Sequence, residues 1–300
     1  MRIAVTGGTG QLVRSIAERG PLAGHDVIAV GRPALDLALP DDDAVHAALD
    51  AARPDVIVNA AAHTAVDKAE GEPDLAFAIN AAGAGAVARA AARIGVPLVH
   101  ISTDYVFSGD KTQPYVESDP TGPTGVYGAS KLAGEQSVLA SGADVAILRT
   151  AWVYSPFGAN FVKTMLRLAE ARDEVGVVGD QHGNPTSALD LADAVIAVAQ
   201  HLTEGRDARH RGIFHATGAG EGTWADLAET VFAASAANGG PSARVKRIAT
   251  ADYPTPARRP SNSRLDCTAL FERHGVRLPD WRTSAAAVTA RLLHEKAIAA

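Results

Sequence analysis

Five short β-branched runs alternate with longer Ala/Leu-rich segments in the first half of the chain, and no other feature restricts its fold as strongly. The runs are RIAVT (2–6), DVIAV (26–30), DVIVN (55–59), PLVHIS (97–102) and DVAILRT (144–150). Helical periodicity covers roughly 11–20, 41–52, 74–94 and 127–141. A strand that is apolar at nearly every position needs cover on both faces. The alternation therefore predicts an α/β fold, a doubly wound parallel (Rossmann) sheet. Ligands of such sheets sit at the carboxyl ends of the strands.

After residue 150 the alternation loosens into loops at SPFGAN, GDQHGNPTS and TPARRPSNS. Pro254, Pro256 and Pro260 make 254–263 an ordered loop or linker. The expected organisation is a cofactor domain over 1–150 and a smaller substrate lobe over 151–300. Some later segments are free to return to the main sheet. A chain of 300 residues, 47% apolar and 21% charged with net charge −6, is ordinary for a globular protein. That charge gives no electrostatic reason to expect nucleic acid. No uncharged apolar run approaches the ~20 residues of a membrane span, and no targeting segment is visible, so a cytoplasmic location is expected. The single Cys267 leaves no intrachain disulfide. His100, His182 and His215 show no paired spacing with carboxylates that would argue a metal site, and no metal is expected.

TGGTGQLV (6–13) follows the first strand and opens the first helix, the context in which a glycine-rich turn binds a dinucleotide. Gly7 permits the tight turn, and Gly10 lets backbone approach a pyrophosphate at the helix N-terminus. Thr9, Gln11 and Leu12 complete the loop, while Val13 stands where a third glycine is usual and should hold the helix slightly off the sheet. The second strand ends in VGRP without an acidic residue for a ribose 2′-OH. Arg32 stands there instead, which favours NADPH, with NADH left open. Asp36 and Leu37 could flank the adenine end. Ala60, Ala61, Ala62 and Thr64, after the third strand, are small enough for a cofactor to lie along backbone.

VYGASKLAGE (126–135) sets Tyr127 four residues before Lys131, on one helical face. An ammonium beside a phenol favours the phenolate, so Lys131 is expected to lower the Tyr127 pKa and suit it to proton transfer. Thr103, at the end of the fourth strand, would lie beside a bound nicotinamide.

TGGTGQ, NAAAHTAVDKAE, STDYVFSGD, VYGASKLAGE, RTAWVYSPFGANFVKTMLRLA, DQHGNPTS and RRPSNSRLD occur in order over most of the chain. Together they resemble the dTDP-4-dehydrorhamnose reductases, extended short-chain dehydrogenases/reductases of nucleotide-sugar metabolism. The resemblance implies a nucleotide-sugar substrate and a hydride from NADPH. It implies that Tyr127 protonates the developing alkoxide, that Lys131 holds the nicotinamide ribose and that Thr103 bonds the carbonyl oxygen. It also places Trp152 against the sugar with Asp104 and Val66 nearby, and it gives Asn80 a role bracing backbone. Arg258 and Arg259 would suit the diphosphate, and Asn160, Gln181, Asn184 and Asn262 the thymine or sugar edges. Related dehydratases carry an Asp-Glu pair after the Thr. Here Tyr105 follows Asp104, which fits simple reduction better than elimination. Another 4-keto-sugar reductase or epimerase, or a silent cofactor-binding subunit, are the alternatives. Monomer and homodimer both stay open.

Overall fold

The computed structural model describes residues 1–205 and 207–299. Strands β1 (Arg2–Thr6), β2 (Asp26–Val30), β3 (Val56–Asn59), β4 (Leu98–Thr103) and β5 (Val145–Thr150) join a sixth strand, Gly212–His215, in one sheet. The order is Gly212–His215, β5, β4, β3, β1, β2, and every pairing is parallel. Chain direction across the sheet reverses between β1 and β3, which opens a crevice at their carboxyl ends.

The apolar strands serve two cores. Ile3, Val5, Val58, Val99 and Leu148 meet the helices Gln11–Leu22 and Ala188–Glu204 on one face. Ala4, Ile57, Leu98 and Ile147 meet Asp42–Asp50, Ala84–Ile94 and Val126–Leu139 on the other. Each large aliphatic side chain so buried contributes about 1.5–3 kcal/mol, and the period-two alternation of strand side chains divides them between the faces. The strand Gly212–His215 thus joins the main sheet and the helix Ala188–Glu204 covers one of its faces, although both lie beyond residue 150. A third core gathers Val162, Met165, Val175, Val177, Val231, Phe232 and Trp281. It is roofed by a parallel strand pair, Glu174–Val178 with Arg244–Ile248.

Residues Pro73–Ile94 run as one helical rod, long and apolar enough by composition to cross a membrane. Here the rod packs into the second core, and Arg89 and Arg93 pair with Asp42 and Asp43. Its middle, Ala78–Gly83, is a π-helical turn. Such turns commonly mark functional sites, and this one places Asn80 inside the molecule.

Candidate active site

The glycine turn comes first. Gly7 has φ +102°, a conformation in which a side chain would be strained, and its N–H donates to Val30 O at 2.8 Å. A Cβ on Gly31 would fall 2.9 Å from the Gly7 carbonyl carbon, so the ends of β1 and β2 touch through glycine alone. Val13, where a third glycine is usual, packs its Cγ2 against the same turn. The helix Gln11–Leu22 starts at an extended Gly10 with no side-chain cap and no acidic residue in its first turn. Its leading N–H groups and positive dipole end are therefore available to an anion. Thr6 Oγ1 donates to Asn59 Oδ1 (2.7 Å) and accepts from the N–H groups of Ala60 and Ala61 (3.1 and 3.0 Å). This fastens the small-residue floor to the turn. A groove of about 1120 Å³ runs from here past Arg32, Asp36 and Leu37 at one end to Thr103, Tyr127 and Lys131 at the other. A polyanion of dinucleotide length fits this cradle.

Tyr127 and Lys131 lie on the helix Val126–Leu139, whose first N–H (Val126) is capped by Glu70 Oε1 at 2.8 Å. The helix is fixed from the other side by Asn80. Asn80 Nδ2 donates to Ser130 Oγ (3.0 Å) and to His63 O (3.1 Å), while its Oδ1 accepts the His63 N–H at 2.8 Å. The Thr103 hydroxyl, at the end of β4, lies beside the Tyr127 phenol. It donates to Asp104 Oδ1 at 2.9 Å and accepts the Tyr105 N–H at 3.3 Å.

The electrostatics correct one expectation. Lys131 does not draw the phenol downward. Burial pushes Tyr127 up to about 12; Thr103 opposes this and Asp104 reinforces it. Lys131 is itself pushed down to about 8 by burial, with Glu135 opposing, and its Nζ is held by Ile101 O at 2.7 Å. Desolvation outweighs an i,i+4 neighbour because both groups are taken out of water together. Tyr127 is thereby kept as a protonated acid across the neutral range. Behind Lys131, Glu135 accepts two bonds from Arg149 (2.9 and 2.7 Å) and one from Ser102 (2.5 Å), a buried and fully engaged carboxylate. Burial also raises Asp104 to about 7, against the Thr103 and Ser263 hydroxyls, and among the described residues its Oδ2 makes no hydrogen bond of normal length.

An aromatic wall faces this group. Trp152 stacks on Trp224 with centroids 3.7 Å apart and planes at 6°, and Phe161 leans on Trp224 at 4.9 Å. Trp152 adopts φ +48°, rare for a bulky residue. Strain of this kind, about 1–3 kcal/mol, persists where the surroundings hold it and clusters at functional sites. The indole lies flat over Gly183, where a Cβ would come within 2.5 Å of it.

Among the residues singled out from sequence, Gly7, Thr9, Gly10, Gln11, Leu12, Arg32, Asp36, Leu37, Ala60, Ala61, Ala62, Thr64, Val66, Thr103, Asp104, Tyr127, Lys131, Trp152 and Asn160 all line the one groove. Other residues singled out from sequence are engaged elsewhere in this structure. Arg259 is absent from the lining and is clamped by Asp67 (2.8 and 3.1 Å), so its fork is engaged by a carboxylate. Arg258 is likewise absent from the lining. Asn262 Nδ2 donates to Lys111 O and Gln113 O, Asn184 bridges Gly220 O and Leu265 N–H, and Gln181 bonds Thr250 and Trp224. These three amides brace loops. Asn160 reaches the wall, but its amide is committed to Gln11, Ser155 and Phe157 while it caps the helix Phe161–Ala169. Sequence reasoning missed Trp224, Phe161, Gly31 and Glu70. Gly31, beside Arg32 at the end of a strand, was the one with a readable signal.

A doubly wound parallel sheet with Thr, Tyr and Lys gathered at its carboxyl edge, next to a glycine turn, defines an extended short-chain dehydrogenase/reductase. Residues 1–294 match the family described as "RmlD substrate binding domain". A dTDP-4-dehydrorhamnose reductase of Sinorhizobium fredii is 49% identical, covering 98% of this chain and 99% of its own. The crystal structure of such a reductase from Clostridium acetobutylicum superposes with TM-score 0.89 at 38% identity over 98% of this chain and 100% of that one. The Bacillus anthracis reductase, solved in complex with NADP, gives 0.88 at 35% identity over 97% and 99%. The chain belongs to the dTDP-4-dehydrorhamnose reductase family.

Proposed function

We propose that this protein reduces the 4-keto group of dTDP-4-dehydro-L-rhamnose to give dTDP-L-rhamnose, with NADPH as reductant. The reading is supported above all by the meeting of the Thr103 and Tyr127 hydroxyls at the inner end of the groove that begins at the glycine turn. When bound, NADPH supplies the hydride for the keto carbon.

The chain's own residues do the rest. The Gly7–Gly10 turn and the open N-terminus of Gln11–Leu22 would hold pyrophosphate, Arg32 would take the 2′-phosphate, and Lys131, anchored on Ile101 O, would offer its remaining N–H groups to the ribose. Tyr127, protonated at neutral pH, gives its proton to the oxygen as negative charge develops there. Thr103 turns its hydroxyl from Asp104 to the same oxygen, and one such donor is commonly worth about 3 kcal/mol of barrier. Trp152 and Trp224 form the apolar face on which the deoxysugar rests, and Val66 and Asp104 close the pocket.

The test is NADPH oxidation followed by absorbance with dTDP-, UDP- and GDP-linked 4-keto sugars. Turnover should be fastest with the dTDP sugar. Tyr127→Phe should retain NADPH binding and lose about 10²–10⁴-fold in kcat. Wild-type protein that binds NADPH yet oxidises none with any keto sugar nucleotide refutes the assignment.

A further inference from the structure

Three histidines converge at the edge of the sheet opposite the active site. His201 lies in the last turn of Ala188–Glu204, His210 ends a short 3-10 turn (Ala208–His210), and His274 ends the helix Thr268–His274. The strand Gly212–His215 begins two residues after His210 and runs parallel to β5, so the cluster sits at the amino ends of the strands. One nitrogen from each ring lies within 4.8 Å of the other two. His201 Nδ1 and His274 Nδ1 are 3.2 Å apart. The three ring centroids are separated by 4.9 to 5.5 Å.

Read as packing alone, this arrangement is poorly satisfied. Two facing Nδ1 atoms can share at most one proton. Among the described residues, His210 Nδ1 is buried with no hydrogen-bond partner, and such an atom ordinarily carries a desolvation penalty. The distances suit a different use. Ligand nitrogens at 2.0–2.1 Å from a tetrahedral ion stand about 3.3 Å from one another, close to the observed His201–His274 spacing. Arg211, next in the chain to His210, is turned away to Asp144, which it bonds at 2.6 and 2.7 Å. Phe214 packs edge-on against His274 and makes one wall apolar.

We infer that His201, His210 and His274 form a binding site for a divalent transition metal of the zinc class, which staples the turn before the last sheet strand to two helices. Imidazole ligands suit Zn²⁺, Ni²⁺ and Cu²⁺ and not Mg²⁺ or Ca²⁺. Three ligands leave the fourth position to water, as in open zinc sites. The remoteness from the groove makes its role one of stability, not of the reduction. The Cys267 thiol and the acids of the active site take no part.

The experiment uses full-length protein freed of any affinity tag and treated with chelator, titrated with Zn²⁺ in a calorimeter and, in parallel, with Co²⁺ by visible absorption. The expected result is one equivalent bound with a dissociation constant on the order of 1 µM or below. The d–d bands of Co²⁺ should be those of a four-coordinate ion, and saturation should raise Tm by about 5 °C. His210→Ala and, separately, His201→Gln should weaken binding at least tenfold (roughly the lower bound for a lost coordination partner). Both should keep the far-UV spectrum and NADPH-dependent activity of the wild type. Mg²⁺ should give no heat. Absence of a site of this affinity in folded wild type, or Zn²⁺ binding unchanged in both variants, overturns the inference.

Discussion

Asp104→Asn tests the electrostatic reading of the site through stability instead of turnover. Asp104 is 2% exposed, and burial raises its carboxyl from 3.8 to about 7. Between those values the folded protein keeps a proton that the unfolded chain has released. Stability therefore falls as pH rises through this window, by about 1.4 kcal/mol per unit. From pH 5 to pH 8 the two units below the folded pKa cost the wild type about 3 kcal/mol. Asparagine has nearly the same shape, keeps the acceptor for Thr103 and does not titrate. Any cost of its unpartnered amide is the same at every pH. The variant should therefore gain about 3 kcal/mol on wild type between pH 5 and pH 8, roughly 6 °C in Tm at this chain length. Urea denaturation of both proteins at pH 5, 6, 7 and 8 measures the gap directly, because all other titrating groups are common to the pair. A difference that stays constant across this range, or that shrinks toward pH 8, would refute the claim that burial raises the Asp104 carboxyl to about 7.

Other outcomes follow from the same geometry. Thr103→Val should lower kcat about 10²-fold with little change in NADPH affinity, measured by steady-state kinetics and fluorescence titration, because it removes one donor to the forming oxyanion. Gly31→Ala puts a methyl group 2.9 Å from the Gly7 backbone, so NADPH binding should weaken and Tm fall by several degrees. Normal binding would show that the two strand ends can separate. Arg32→Ala should reduce the preference for NADPH over NADH at least tenfold, about 1.4 kcal/mol, as read from the ratio of kcat/KM values; an unchanged ratio would give the 2′-phosphate a different partner.

Much of this protein is legible along the chain. The β-branched runs at 2–6, 26–30, 55–59, 97–102 and 144–150 match β1 to β5 within a residue or so at their ends. Nearly continuous apolarity has few solutions other than a covered parallel sheet. The glycine turn, Arg32 and the Tyr127–Lys131 pair were readable for a related reason, since each rests on local backbone geometry or on spacing within a single helix.

What the sequence could not determine is whatever depends on segments distant in the chain. Trp224, the first residue of a helix, meets Trp152 only in the folded wall, and Arg259 pairs with Asp67 from 192 residues away in the chain. Asn184 and Asn262 look the same in sequence whether they read a ligand or brace a loop. The three histidines carry no spacing signal at all. The Tyr127 proton shows the difference most clearly. Spacing alone puts an ammonium one turn from the phenol and so predicts a lowered pKa, yet burial supplied by β4 and the surrounding helices drives it the other way. Periodicity and spacing are properties of the chain, whereas desolvation is a property of everything packed around a group, and only the folded structure sets it.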